Sequence, residues 1–315
     1  MSLYRDEAIV LRTQKLGEAD RIITMLTRDH GRIRGVAKGV RRTKSKFGAR
    51  LEPGSHVDIQ LYTGKTFDTV TQVEALMNYG EALTEDYQRW TIASAILEAA
   101  ERFTSQENEP ALQEFQLVVG GMKALAENRY EPLLILDAFL LRSLAVAGYA
   151  PSMTICSRCE KPGPHRYFSL VGGGSVCADC RPSACATPAP ETLELMGALL
   201  SSDWDKATAS EPKFRREASG LIAAYLQWHL ERGLRSLPMV ERVRQSRFLI
   251  TLQSLWMVMD AGRNNEAYHA PQDMKRGKQR YLMLLKVPLN TVLKRLVRMH
   301  FQLKIGDVHQ MKLSF

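Results

Sequence analysis

The first 76 residues alternate apolar and polar positions in short runs. Ala8-Ile9-Val10-Leu11 is an apolar run ahead of Arg12 and Thr13. Arg21-Ile22-Ile23-Thr24-Met25-Leu26 is a second, and Arg32-Ile33-Arg34-Gly35-Val36-Ala37 a third. The third alternates charged and apolar side chains, as a half-buried strand does. Asp29-His30-Gly31 between the second and third suits a hairpin turn. His56–Tyr62 and Phe67–Val73, separated by Thr63-Gly64-Lys65, complete a set of five. Five short strands in so little chain predict a small closed barrel of the OB type, although an SH3-like barrel fits the spacing almost as well.

Beyond residue 80 the period lengthens. Tyr87, Trp90, Ile92, Ile96, Ala99, Ala100 and Phe103 recur at three-and-four spacing and predict a helix over 84–103. Leu112, Phe115, Val118, Val119, Met122 and Leu125 predict another over 110–126. The segment 131–147 is apolar nearly all round, the mark of a central, buried helix. Gly148 stands where a helix C-cap belongs, and Pro151 follows it. Helices return at about 191–201 and 212–234. The fold class that results is α+β: an OB-fold barrel over 1–80 and a helical domain over 81–241. Into that domain is inserted a cysteine-bearing module at 152–186, marked by Gly172-Gly173-Gly174 and several prolines. Residues 242–315 form a basic, methionine-rich extension in which 247–260 and 290–303 read as amphipathic helices.

Charge is distributed unevenly along this plan. The chain has 315 residues and a net charge of +9, with +8 in residues 1–50, +10 in 242–315 and −9 between them. Basic ends beside an acidic middle suggest a polyanion partner at the ends. No run of eighteen apolar residues occurs, which argues against a membrane-spanning helix. The N-terminal MSLYRDEAIVLR is charged where a secretory signal needs an apolar stretch, so the expected location is cytoplasmic.

The strongest chemical signal is Cys156-x-x-Cys159 followed, after seventeen intervening residues, by Cys177-x-x-Cys180. Two residues between cysteines let one tight turn aim both sulfurs at one ion, and two such turns complete a tetrahedron. Four thiolates leave no open position for water, so the expected cofactor is a structural Zn2+. The other reading is four free or redox-active thiols. Cys185 lies outside the pattern, and His165 is an alternative ligand.

The second signal is the segment 38–50, which carries Lys38, Arg41, Arg42, Lys44, Lys46 and Arg50 and no acid. Such a stretch binds a phosphate chain by releasing counterions, without reading sequence. Gly39 and Gly48 free the backbone to follow that chain, and Phe47 is placed either to stack on a base or to pack beneath its own loop. Arg34, on the preceding strand, joins the candidate DNA-contacting set, while Asp20, Arg21 and Arg34 also read as an ordinary surface ion-pair group. Tyr4, Tyr62 and Phe67 are further candidates for stacking, with barrel core or rim as their other reading. No phosphate-binding Gly-rich loop, Gly-x-Ser-x-Gly or His-Glu-x-x-His is present, so the expectation is a protein that is not an enzyme. Two other functions fit a barrel with a zinc ribbon: an RNA-binding or ribosome-associated protein, and an enzyme that uses the barrel as a nucleic-acid clamp.

Residues 16–23 (Leu-Gly-Glu-Ala-Asp-Arg-Ile-Ile), 30–38 and 39–53 resemble the N-terminal OB domain of RecO, a family of bacterial recombination mediators. Leu144–Pro151 leading into Cys156-x-x-Cys159 resembles that family's junction between helix and zinc module. The resemblance extends to about residue 242. It implies binding of single- and double-stranded DNA, annealing of complementary strands, and action with a RecR-like partner. It further implies help in loading a RecA-type recombinase onto strands coated by single-strand binding protein, in recombinational repair of the RecF type, by a nucleoid-associated protein. Lys38, Arg41, Arg42, Lys44 and Lys46 fall on the family's basic barrel loop, and the four cysteines match its zinc-bearing members. Nothing after Val243 resembles the family. That stretch reads either as a DNA-binding extension or as chain without a selected function.

Overall fold

A computed structural model describes residues 2–84, 86–230 and 234–240. The amphipathic segments read at 247–260 and 290–303, and the rest of the extension, lie outside the described residues. Five strands, β1 (Leu3–Leu16), β2 (Asp20–Thr27), β3 (Gly31–Ala37), β4 (Ser55–Tyr62) and β5 (Asp68–Asn78), form a closed barrel in the order β1-β2-β3-β5-β4. Antiparallel pairing of β1 with β4, from Leu3↔Tyr62 to Ile9↔His56, closes the ring. A short parallel pairing of β3 with β5, at Gly35↔Asp68 and Val36↔Thr69, completes an OB-type barrel rather than the SH3-like alternative.

The apolar run 8–11 is continuous because β1 is buried on both faces. Ala8 and Val10 point into the barrel with Ile23, Met25, Ile33, Val57, Ile59 and Leu61. Ile9 and Leu11 point outward, where they join Leu26 in the core of the helical region. Between Val10 and Arg12 a register shift re-aims the strand, and beyond it the pattern becomes polar. β1 and β5 both run several residues past the limits that the pattern predicts, to Leu16 and Asn78.

Helix α1 (Tyr79–Leu83) follows β5 directly and is too short to show a period in the sequence. α2 (Tyr87–Phe103) begins at Asp86, whose carboxylate accepts from the backbone N–H of Gln88 (2.9 Å) and Arg89 (3.2 Å). α3 (Leu112–Ala126) and α4 (Pro132–Val146) follow as expected. α4 is the centre of the region, with Leu134 through Leu141 and Leu144 all buried. Gly148 takes φ +85° just past its end. α5 (Pro190–Ser201), α6 (Trp204–Ala209) and α7 (Pro212–His229) complete the set. α4, α5 and α7 each open on a proline, where the missing N–H costs nothing and φ is preset. α6 has no counterpart in the sequence pattern, and α7 stops at His229 rather than 234. Among the described residues no helix is long and apolar enough to cross a membrane.

Candidate nucleic-acid interface and metal centre

The chain leaves β3 at Ala37 and reaches β4 through residues 38–54. Three side chains fasten this crossing to the barrel: Val40, Phe47 and Leu51, exposed by 8%, 1% and 1% respectively, lie in the barrel core. Of the two readings of Phe47, this burial fits the one in which it packs beneath its own loop. Its ring fills the barrel end, which is the more favourable place for a large apolar group on a closed sheet. Gly39 (φ +67°) and Gly48 (φ +54°) both take left-handed backbone, as the turns at the two ends of the loop require. The N–H of Gly39 donates to Asp20 Oδ1 at 2.7 Å, and the N–H of Arg41 donates to the Ala19 carbonyl at 2.9 Å. Asp20 thus holds the loop's first turn and is not the ion-pair partner of Arg21.

With the apolar anchors turned inward, Lys38, Arg41, Arg42, Lys44, Lys46 and Arg50 are all exposed. Arg41 donates to the Glu18 carbonyl at 2.8 Å, Lys46 to the Thr71 carbonyl at 2.9 Å, and Arg50 to the Lys46 carbonyl at 3.0 Å. Carbonyls orient a cation without cancelling its charge. Among the described residues none of these six cations forms an ion pair.

Every other arginine of the barrel is paired with an acid. Arg5 meets Asp58 (2.6 Å), Arg12 meets Glu101 (2.8 Å), Arg21 meets Glu52 (2.6 Å) and Arg28 meets Glu7 (3.1 Å). Arg32 and Arg34 share Glu107, at 3.7 and 2.6 Å. Arg34 therefore differs from the loop cations of the candidate DNA-contacting set. It is covered by an acid from the α2–α3 connection and lies 4.9 Å above the centre of the Phe67 ring. The sequence does not single out Glu107, since nothing local connects it with β3. Of the remaining aromatic candidates, Tyr4 packs at the barrel core with its hydroxyl bonded to Asp68, Phe67 is half-buried, and Tyr62 is exposed.

The cysteine segment joins α4 to α5. Two short strands, β6 (Tyr167–Ser169) and β7 (Gly174–Val176), form an antiparallel ribbon. Cys177 leaves the end of β7, Cys180 follows in a turn, and Cys156 and Cys159 lie on a second turn. The four sulfurs are all within 4.8 Å of one another, and Cys159 Sγ lies 3.7 Å from Cys177 Sγ. Four ligands at ~2.3 Å from a tetrahedral centre would stand about 3.8 Å apart, so this spacing suits one ion. The backbone N–H of Cys177, donating to Cys156 Sγ at 3.4 Å, brings the Cys156 thiol down to about 6. Hydrogen bonds from Cys180 to Cys159 and then Cys177 push its thiol up to about 12. Four crowded thiols cannot all ionise alone, and a cation among them removes that obstacle. The module's own apolar cluster consists of Cys156, Val176 and Cys177, with Tyr167 and Cys180 packed against it. A metal ion held by the four sulfurs would add a further constraint to so small a core. Phe168, fully buried, ties the ribbon to α7 through an edge contact with Tyr225 at 5.8 Å. Cys185 stands apart from the sulfur cluster, and His165 Nε2 lies 2.8 Å from the Lys161 carbonyl rather than among the sulfurs.

Two family models match the chain: Recombination protein O N terminal over residues 1–79, and Recombination protein O C terminal over residues 84–238. Proteins named DNA repair protein RecO from Streptomyces avermitilis and Streptomyces coelicolor are 60% and 59% identical over 248 residues. The protein of that name from Thermobifida fusca is 59% identical over 242 residues. Each of these matches takes in 77% of this chain and the whole of the relative. The barrel, the helical region and the sulfur cluster thus lie in sequence that two family models and three whole relatives share, and the chain belongs to the RecO family of DNA repair proteins.

Proposed function

We propose that this protein binds single- and double-stranded DNA through the 38–50 loop, anneals complementary strands, and helps load a RecA-type recombinase onto strands coated by single-strand binding protein, together with a RecR-like partner. It does so without catalysing a covalent step. One observation carries the reading: all six loop cations are exposed and free of acidic partners among the described residues, while the other barrel arginines are neutralised. A surface with uncompensated charge and few other obligations gains most from exchanging small counterions for a phosphate chain. Two strands neutralised at one such surface lose much of their mutual repulsion, which lets their bases approach and pair.

The sulfur cluster supports the reading of a structural Zn2+ held by Cys156, Cys159, Cys177 and Cys180. Its role is to fix the β6–β7 ribbon, and all four ligands come from the protein.

The test is single-strand binding measured across a salt series. Affinity should fall with log salt at about −0.7 per phosphate neutralised. Replacing Arg41, Arg42, Lys44 and Lys46 with Ala should flatten that slope by roughly 3, at about 0.7 for each phosphate no longer neutralised. It should also slow annealing of coated strands, and a metal count should return one zinc per chain. An unchanged slope rules the loop out as the DNA-binding surface. Tighter binding to structured RNA than to DNA favours the ribosome-associated reading instead.

A further inference from the structure

The strand face beside the loop carries two arginines that differ from their neighbours. Arg32 and Arg34 occupy successive outward positions on β3. The outer faces of strands 2 and 3 are where OB barrels receive oligonucleotides. Here that face is partly covered by the connection between α2 and α3. The N–H of Asn108 donates to the Arg32 carbonyl at 2.9 Å, and Arg32 and Glu107 form an isolated parallel bridge. The approach is close: a β-carbon on Gly31 would lie 1.7 Å from the Glu109 carbonyl oxygen, so only glycine admits the connection there.

The carboxylate that this segment delivers is poorly matched to its partners. Glu107 Oε1 lies 2.6 Å from Arg34 Nε, yet the pair is not aligned as a hydrogen bond, and Arg34 Nε is a buried donor without an acceptor among the described residues. Arg32 Nε is in the same position. Arg32 spends its other nitrogens on the carbonyls of Ser105 (2.5 Å) and Glu101 (3.3 Å). Arg34 is held from below by the Phe67 ring, 4.9 Å from its guanidinium carbon. Two adjacent guanidinium groups, each with an unsatisfied N–H, thus sit beneath one carboxylate that answers their charge but not their geometry. An unmet buried donor is costly, and a partly exposed ion pair repays little. A phosphate offers more oxygens and suits two guanidinium groups better than a carboxylate does.

We propose that Arg32 and Arg34 form a phosphate seat for single-stranded DNA, and that Glu107 occupies this seat until a strand displaces it. The proposal rests on the DNA-binding reading above and extends it. The 38–50 loop engages the strand first with its free cations, and the β3 seat joins once the backbone of the strand competes with Glu107. The occupied seat therefore lowers affinity for short or weakly bound strands.

The test compares the full chain with Glu107→Gln, Arg34→Ala and the double variant, using fluorescence anisotropy of a labelled oligothymidine from about 50 to 300 mM salt, the range over which phosphate binding is most salt-sensitive. Glu107→Gln should bind roughly three- to fivefold tighter at low salt, and its slope should steepen by about 0.7 for each phosphate newly held. The gain should disappear in the Arg34→Ala background. Glu109→Gln removes the same charge from an exposed position in the same connection and should stay within about twofold of the parent. Equal tightening by Glu109→Gln, or tightening that survives Arg34→Ala, overturns the seat and leaves only an effect of net charge. Parental affinity and slope for Glu107→Gln, in protein with an unchanged melting temperature, overturn it as well while leaving the loop intact. Should Glu107→Gln melt early, Arg34→Ala alone decides: the seat predicts weaker, flatter binding to DNA long enough to displace Glu107, and parental binding overturns it. Failure of the parent to bind DNA at all overturns the underlying reading together with the seat.

Discussion

Two groups of barrel cations, six arginines of the strands and their turns and six cations of the 38–50 loop, are treated in opposite ways. Arg5, Arg12, Arg21, Arg28, Arg32 and Arg34 each meet an acid within 4 Å. Lys38, Arg41, Arg42, Lys44, Lys46 and Arg50 meet no acid among the described residues, only carbonyls, solvent and, for Lys46, the Phe47 ring. The first set tightens the sheet and its seam with the helices. The second set is anchored by Phe47 and its apolar neighbours and presents uncancelled charge. A count of basic residues treats the two sets as equal, but only the second gains a full counterion release on meeting a phosphate chain.

The largest change should come from removing the anchor beneath the free set. Phe47→Ala takes a fully buried ring out of the barrel and should cost about 3–5 kcal/mol of stability, read as a lower melting temperature or urea midpoint. If the ring instead stacked on DNA, stability would hold and affinity alone would drop. Next come the cations themselves. Neutralising Arg41, Arg42, Lys44 and Lys46 together should weaken single-strand binding on the order of 10²–10³-fold at about 0.1 M salt, with stability nearly unchanged.

The contrast between compensated and uncompensated charge recurs in the helical region and gives a pH effect of intermediate size. Glu114 on α3 is buried, with the Ser143 hydroxyl donating to Oε1 at 3.0 Å and no cation paired with it among the described residues. Burial pushes its carboxyl up to about 7, against the smaller opposing effect of Ser143. Below about 4.5 the group is protonated whether the chain is folded or not. Between about 4.5 and 7 the folded state holds the proton and the unfolded state has lost it, so stability falls as pH rises through that window. The difference is worth roughly 3 kcal/mol, and Glu114→Gln should flatten it in denaturation curves taken at about pH 5 and pH 8. An unaltered pH dependence in that variant would place its origin elsewhere.

The paired set supplies the smallest expected change and the control for the other two. Arg5→Ala should leave the melting temperature nearly unchanged and DNA affinity within about twofold, because an exposed ion pair contributes little. A large loss of affinity there would erase the distinction between the two sets.

Much of this is legible in the chain. Strict alternation at Arg32–Ala37 and the all-round apolar run at 131–147 report a half-buried strand and a central helix, because those patterns are local. The paired Cys-x-x-Cys spacing is legible for the same reason: two turns and a ribbon bring the sulfurs together with little help from the rest of the fold. Other features depend on distant partners. The choice between OB and SH3-like barrels turns on the parallel β3–β5 pairing, which joins segments far apart in sequence. Phe47 sits in an irregular loop, where no period says which way a side chain turns. Arg34 resembles its basic neighbours in sequence, and only Glu107, from the far side of α2, sets it apart. α1 and α6, of five and six residues, are shorter than two helical turns and leave no periodic trace.

The two-sided strand β1 has a consequence for how the molecule can be taken apart. Ile9, Leu11 and Leu26 belong to the barrel by chain and to the helices by packing. Cutting the gene after the fifth strand would strip these three side chains of their cover and leave a greasy stripe on an otherwise polar fragment. The described residues fall into one compact unit, so the barrel and the helices should melt together as a single cooperative transition. The exposed loop cations take no part in this shared wall, so the charge of that surface is free to change while the architecture holds still.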